Sequence, residues 1–473
     1  MEKVLPKNWI NSSLKEVTRS VKGKKPKVQE EIEFEGSIPY MDIKALEHNI
    51  IRKFADKESS KLFEAGDVAM VWDGARSGWV SKTNFGAIGS TITAFKPIKL
   101  NSNYLYYFLL DIYPFINSNA RGVGIPHVDP TVLYGLNFPL PPLAEQQRIV
   151  AKLDGLFTHL EQVKIRLANI PKLLKNFRQA ILSQAVTGKL TEEWRVGKEL
   201  DSVNKYLKQL NKLRETKIDK RDNKTPIYET LSTYSIPKEW KWVRLWDLSY
   251  LVTSGSRGWS GYYADEGAYF VRSAEINNNV LRLEEAIKVN LPKKVEGKRS
   301  LIQKGNILTT VTGANVGKCA KIEKTIPEAY VSQSVAITKL VDNDLTDYVH
   351  LSLLAPNSGG GMLKDMAYGL GRPVLSLPQI KSIQIPLPTK EEQVEIVKRV
   401  ESLFAKADAI EAKYNTLKAQ IDSLPQAILA KAFKGELVSQ LPTDGNAADL
   451  LKEIQALKAV AVPKKKTKKR VKV

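Results

Sequence analysis

One cysteine, Cys319, stands in 473 residues, so there is no disulfide framework to read. Histidine is almost as scarce: four scattered residues, joined by one cysteine, make no zinc site of standard spacing. Long apolar runs are missing as well, and no uninterrupted stretch approaches the ~18 residues that cross a bilayer. The opening Met1-Glu2-Lys3-Val4-Leu5-Pro6 has no apolar segment of the kind a secretory signal needs, and the expectation is a cytoplasmic chain. Acidic residues are in deficit, 51 Asp and Glu against 72 Lys and Arg, for a formal charge of +21. The tail from Pro463 to Val473 supplies seven positive charges and no negative one, leaving +14 on the body. An excess spread over folded domains favours a polyanionic partner, most simply nucleic acid. Charge alone leaves DNA, RNA and an acidic protein open. With 43% hydrophobic and 26% charged residues the composition is globular, and the length suggests two to four domains.

Catalytic signatures are missing too. Gly313-Ala314-Asn315-Val316-Gly317-Lys318-Cys319 resembles a phosphate loop, yet it has three residues between its glycines and no Ser or Thr after Lys318 to hold Mg²⁺. Its counterpart Gly74-Ala75-Arg76-Ser77-Gly78-Trp79 also sets a basic residue among glycines, which predicts a repeated strand-turn-strand tip suited to a DNA backbone or groove. The Asn-Pro-Pro-aromatic tetrapeptide that positions an adenine amino group for methyl transfer is absent. Asp265 with Glu296-Gly297-Lys298 satisfies a nuclease spacing loosely, but Glu-x-Lys recurs at Glu215, Glu239 and Glu411. In a Lys-rich chain that match is noise.

What the chain does have is an internal repeat, the feature to settle before any single motif. Leu5-Pro6-Lys7-Asn8-Trp9 returns as Ile236-Pro237-Lys238-Glu239-Trp240, and Gly66-Asp67-Val68 as Gly305-Asn306-Ile307. From Gly122 to Leu190 the displacement is a constant 247. Each half has a variable front and a regular back. In the first back, apolar residues fall at Leu153, Leu156, Leu160, Val163, Leu167, Ile170, Leu174, Phe177 and Ile181; in the second, at Val400, Leu403, Ala407, Ile410, Tyr414, Leu417, Ile421, Leu424 and Ile428. Alternating steps of three and four predict heptad helices with matching seams. Pro142 suits a first helical position, Thr389-Lys390-Glu391-Glu392 has capping-box spacing, Gly188 and Gly435 are the expected stops, and Pro171 should kink the first helix. The fronts carry short β-rich runs (Asp67 to Trp72, Ser90 to Phe95, Asn306 to Val311, Ser334 to Leu340) and read as compact α/β domains.

Phe138-Pro139-Leu140-Pro141-Pro142-Leu143-Ala144-Glu145-Gln146-Gln147-Arg148-Ile149-Val150, with Phe177 to Leu182 and Gly188-Lys189-Leu190-Thr191, resembles the central conserved region of type I restriction-modification specificity (S) subunits. Pro386-Leu387-Pro388 through Glu392-Gln393 to Ala427-Ile428-Leu429-Ala430-Lys431-Ala432-Phe433-Lys434-Gly435 resembles that family's distal region. The resemblance implies two α/β target-recognition domains joined by two long helices in an antiparallel coiled coil, a pseudo-twofold repeat. The expected divisions are 1–140, first target-recognition domain; 141–188, central helix; 189–235, linker; 236–388, second target-recognition domain; 389–435, distal helix; and 436–473, C-terminal region with the basic tail. It implies double-stranded DNA with a bipartite target as ligand, two modification subunits that use S-adenosylmethionine to methylate adenine, and restriction subunits that use ATP and Mg²⁺ to translocate and cleave. This chain itself is expected to be non-catalytic, without cofactor or metal, and part of bacterial defence. The rivals are a self-contained DNA methyltransferase or nuclease, and a tandem RNA-binding scaffold.

Base-reading residues of that family vary with the target, so the DNA-contact candidates rest on loop placement. Arg76, Arg257 and Arg372 are the expected guanine readers, since a bidentate Arg is the commonest specific contact. Arg121 and Arg372 ride on the repeated loops Gly122-Val123-Gly124 and Gly369-Leu370-Gly371 that precede Pro126 and Pro373. Trp79 and Trp259 are candidates for stacking. Lys22, Lys24 and Lys25, with Ser77, Ser256, Arg272, Asn315, Lys318 and Tyr368, complete the set.

Overall fold

The computed structural model describes residues 5–83, 85–218, 234–255, 257–277, 280–292, 297–369 and 371–460; Ser256, Leu370 and the basic tail lie outside the described residues. The chain forms two compact units: residues up to Ala168 together with those from Asn415 onward, and Asn169–Tyr414. Each contains one front, part of the helix that follows it, and part of the other long helix.

In the first unit the run Val68-Ala69-Met70-Val71 is buried along its whole length, as a strand covered on both faces must be. It sits in a four-stranded antiparallel sheet, ordered Thr18–Lys22, Ile92–Pro97, Val68–Val71, Val80–Lys82. A second sheet, Gln29–Glu30, Phe54–Asp56, Ser37–Met41, Ala87–Ile88, ends in a parallel pair. The second unit repeats both orders with Ser249–Ser254, Val335–Leu340, Ile307–Thr310, Cys319–Lys321 and with Tyr263–Ala264, Ile287–Val289, Ala268–Val271, Ala329–Val331. The four expected β-rich runs therefore fall on paired central strands.

One device, written twice, ties each front to its helix. A two-stranded ribbon, Ile10–Ser13 with Asn137–Leu140 or Lys241–Arg244 with Gln384–Leu387, delivers the Pro-Leu-Pro segment to the helix start. Glu145, in the first turn of Leu143–Ala168, is fully buried and accepts from Trp9 Nε1 at 2.9 Å, Asn8 Nδ2 at 3.2 Å and Gln440 Nε2 at 2.9 Å. Glu392 is buried likewise and accepts from Trp240 Nε1 at 2.8 Å, Thr191 Oγ1 at 2.7 Å and the Arg195 guanidinium at 2.5 Å. A buried carboxylate is tolerable only when its lone pairs are satisfied, which gives the repeated Trp9 and Trp240 their purpose: an apolar body for the core and one N–H for the acid.

Three helix-end expectations change in detail. Thr389 Oγ1 accepts from the Glu392 N–H at 3.3 Å, but the Glu392 carboxylate is engaged by Trp240, Thr191 and Arg195, so the capping box is half formed. Pro142 sits one residue before the helix, its carbonyl taking the Gln146 N–H at 3.0 Å. The first helix is interrupted at Asn169, between Leu143–Ala168 and Ile170–Val186, just before Pro171, whose missing N–H and bulky ring deny the i−4 bond. Gly188 and Gly435 end their helices with φ of +74° and +76°, the left-handed conformation glycine adopts without strain.

One row of heptad positions is the more buried; the other is partly open, with Leu156, Ile170 and Leu403 half-buried and its remaining members exposed. In the first unit Leu153 and Leu160 are buried while Val163, Leu417 and Leu424 are exposed; in the second Leu174, Ile181, Val400 and Ala407 are buried while Phe177 and Ile410 are exposed. The helices run antiparallel in both: in the first unit Arg148, near the start of one helix, bonds Asp444 beyond the end of the other at 2.7 Å, while the Lys164 charge reaches Asp422; in the second Arg178 bonds Asp408 at 2.6 Å and Arg399 bonds the Leu190 carbonyl at 2.8 Å.

The repeat continues past the glycine stops. Within the stretch expected as a linker, the helix Val203–Lys217 buries Val203 and Leu210 in the second unit, and Ala447–Val460 buries Ala447, Leu450 and Ile454 in the first. Arg214 Nε donates to the Ser249 carbonyl at 2.9 Å, and Lys458 Nζ to the Thr18 carbonyl at 3.2 Å. The element that ends each half of the chain packs on the front belonging to the other half.

Candidate nucleic-acid interface

The four glycine elements singled out in the sequence come together two and two. In the first unit the hairpin between Val68–Val71 and Val80–Lys82 carries Gly74 and Gly78 at φ +116° and +90°, and Gly74 N–H donates to the Pro126 carbonyl at 2.8 Å. The loop containing Pro126 is closed at its base by Arg121 and His127, whose N–H groups bond each other's carbonyls at 2.9 and 2.7 Å. The second unit copies this. Gly313 N–H donates to the Pro373 carbonyl at 3.0 Å, and Tyr368 and Val374 exchange bonds at 3.0 and 2.8 Å. In each unit the tip of a central hairpin and the Gly loop thus form one composite surface.

The cations of the first surface are held by carboxylates. Lys22 lies 3.1 Å from Asp73, whose other oxygen is 2.8 Å from His127 Nδ1. Arg76 pairs with Glu47 at 2.5 Å, and this guanidinium holds the Glu47 carboxyl below its ordinary range. Arg121 pairs with Asp129. Asp42, Lys44, Glu47, Arg52 and Arg76 line an open cleft beside the tip. A guanidinium steadied on one edge keeps its remaining N–H groups for a guanine or a phosphate. Lys24 and Lys25 are exposed just beyond the strand that ends at Lys22.

Ser77 is fully buried beneath the turn, which Asn117 Nδ2 ties down through the carbonyls of Ala75 at 3.1 Å and Ser77 at 2.9 Å, and Trp79 is half-buried against the core. In the second unit Asn315 Nδ2 donates to the Ser273 carbonyl at 3.0 Å, bringing the tip beside Arg272, which pairs with Glu275 at 2.7 Å. Lys318 is half-buried on the same tip, and Tyr368 and Arg372 are exposed on the neighbouring loop. Trp259 is buried against Phe270 and Tyr330 and offers no side-chain surface to a ligand; exposed Arg257 belongs to that separate loop.

Asp73, His127 and Glu47, the partners that hold this surface, were not legible in sequence. They lie 29, 51 or 54 residues from the groups they bond, and no local pattern marks them. Among the described residues no group of three or more His, Cys, Asp or Glu side chains converges as a metal site, and no helix is long and apolar enough to cross a membrane.

A sequence model of the family described as Type I restriction modification DNA specificity domain matches residues 6–170 and 237–419. The chain is 32% identical over 388 residues to the Type I restriction enzyme EcoBI specificity subunit of Escherichia coli, covering 79% of this chain and 75% of that one. It is 27% identical over 501 residues to the Type I restriction enzyme EcoKI specificity subunit of Escherichia coli strain K12, covering 98% of this chain and 99% of the relative. Among solved structures, the HsdS subunit from Thermoanaerobacter tengcongensis gives a TM-score of 0.57 at 20% identity, over 91% of this chain and 98% of that one. A chain from a structure of type I R-M complex assembly and conformational transition gives 0.64 at 20% identity, over 92% and 99%. At that identity the structural likeness is one of fold.

Proposed function

The chain belongs to the family of type I restriction-modification DNA specificity subunits, and from that premise we propose that each of its composite tip-and-loop surfaces reads one half of a bipartite duplex target. It is a DNA-recognition subunit that assembles with others; it is not the catalyst. The observation that carries the reading of the site is the twofold recurrence of one contact, Gly74 N–H to Pro126 and Gly313 N–H to Pro373, which assembles basic loop tips at equivalent places of two fronts, 1–140 and 236–388. Lysine and arginine contacts to phosphate set orientation, and the tip side chains read base edges.

The partners are two modification subunits, which supply S-adenosylmethionine and methylate adenine, and restriction subunits, which use ATP and Mg²⁺. The exposed row of each helix pair, Val163 and Leu417 in the first unit and Phe177 and Ile410 in the second, supports docking of partner helices there. The readings as a self-contained methyltransferase or nuclease, or as an RNA scaffold, are not favoured by the family match.

The test is methylation by the reconstituted complex of targets with either half randomised. Arg76→Ala is expected to relax the requirement at one half-site and Arg372→Ala at the other, each by about 1–3 kcal/mol of base discrimination. Loss of preference in both halves after either single change, in a folded protein, contradicts separate readers.

A further inference from the structure

The two Gly loops are one element carrying different chemistry. At the displacement of 247, Ile125 occupies the place of Arg372 and Val123 that of Leu370. The base of the first loop is fixed by the Arg121–His127 exchange, by Gly74 N–H on the Pro126 carbonyl and by His127 on Asp73. Gly122 turns the chain at φ +103°, where a Cβ would lie 2.6 Å from the Ile125 carbonyl oxygen. At the apex Val123 is 110% exposed and Ile125 62%. Two branched apolar side chains held in water on a pinned loop add nothing to the core, and their burial awaits a partner. The flanking side chains, Gly122, Gly124 and Pro126, carry no nitrogen or oxygen. Cations stand at the base of the tip, Lys22 beside Asp73 and Arg121 beside Asp129.

We propose that Val123 and Ile125 form an apolar reader that contacts the 5-methyl group of a thymine in the half-site of the first front. The major groove presents hydrogen-bonding groups at every base pair and one apolar group, the thymine methyl. A loop apex without side-chain donors or acceptors discriminates through that group. At the equivalent place Arg372 reads by hydrogen bonds and charge. The inference rests on the reading that these loops face DNA, and the experiment separates the two.

The complex with modification subunits is reconstituted, and its target is fixed by methylome sequencing. Each thymine of the first block is then replaced singly by uracil, which removes only the methyl group. At one position uracil weakens binding by the wild type about fourfold, the effect of one methyl group withdrawn from water. The double variant Val123→Ser/Ile125→Ser binds the thymine and uracil duplexes alike, with an unchanged salt slope because no cation is lost. Val123→Ile/Ile125→Leu keeps the discrimination.

Equal binding of thymine and uracil by the wild type throughout the first block, or a first block without thymine, overturns the proposal. So does a serine double variant that still discriminates, and so does one that fails to hold its modification subunits, which would make the loop apex a protein contact. Arg372→Ala is the control for the underlying reading. A salt slope reduced by about 1, with relaxed choice in the second block, keeps the loops on DNA whatever the uracil result, whereas no change in either removes the loops from the interface.

Discussion

Glu145 and Glu392 occupy equivalent places and are equally buried, yet the two units satisfy them differently. Three neutral donors surround the first; an indole, a hydroxyl and the guanidinium of Arg195 surround the second. Arg195 also lies over the Trp240 ring at 5.9 Å. The same divergence recurs at Ile125 against Arg372 on the loop and, on the helices Ser102–Ser118 and Thr346–Leu354, where Tyr104 and Tyr348 donate to the equivalent carbonyls of Pro139 and Pro386, at Tyr106 against His350 two residues on. Backbone geometry has been kept while side-chain chemistry has drifted, so the units should share a fold and differ in what breaks them.

The largest expected difference lies at the buried acids. Glu392→Gln leaves the Arg195 guanidinium, little exposed, without its counter-charge, and removing one partner of a buried pair costs about 3–5 kcal/mol. Glu145→Gln keeps an acceptor oxygen for neutral donors and disturbs one bond, about 1–3 kcal/mol. Urea unfolding with thiol labelling separates the units. Burial pushes the Cys319 thiol up to about 12 and hides it in the second unit, and the first has no cysteine. Early labelling of Glu392→Gln but not of Glu145→Gln is the expected result; equal costs would mean the guanidinium contributes nothing specific.

The next difference is in pH. Burial pushes His350 down to about 4, against the weaker opposing effect of the Cys319 carbonyl. A histidine kept neutral by the fold and free to protonate when unfolded contributes stability that is whole above the unfolded value near 6.5 and is lost as pH falls toward 4. The second unit should lose about 3 kcal/mol across that window. His350→Tyr, which copies Tyr106 of the first unit, should flatten the dependence. An unchanged slope in that variant would assign the acid sensitivity elsewhere.

Local features were legible from the sequence: the repeat, the central strands and the glycine stops, because strand pattern and left-handed turns are written in neighbouring residues. The interruption at Asn169 was legible from Pro171 for the same reason. Pairing was not. Gly74 meets Pro126 across 52 residues and Gly313 meets Pro373 across 60, and the buried carboxylate of Glu392 looked like a capping residue because nothing nearby reveals an indole and an arginine from elsewhere in the chain. The closing helices escaped notice because they share spacing and not identity: in the repeat Tyr206 and Leu210 correspond to Leu450 and Ile454, and Val203 to Ala447. The burial of Ser77 and Trp259 follows from packing around a turn that composition marks only as polar or basic.

The smallest expected effect is where the units agree. Leu417 in the first and Ile410 in the second lie in the open row of the heptad, 48% and 50% exposed. In the isolated chain, Leu417→Ser and Ile410→Ser should each change stability by less than about 0.5 kcal/mol, as surface substitutions do. Leu160→Ala and Leu174→Ala, from the buried row, should each cost about 2–5 kcal/mol. If the open row is covered only on assembly, the two serine variants will fold normally and hold modification subunits less well in a pull-down, to a similar extent for both. A serine variant that unfolds as readily as Leu174→Ala would show that the row is already buried in the free chain. One that folds and binds its partners at full strength would place their docking surface elsewhere, and an effect confined to one unit would extend the divergence of the two acids to the helices.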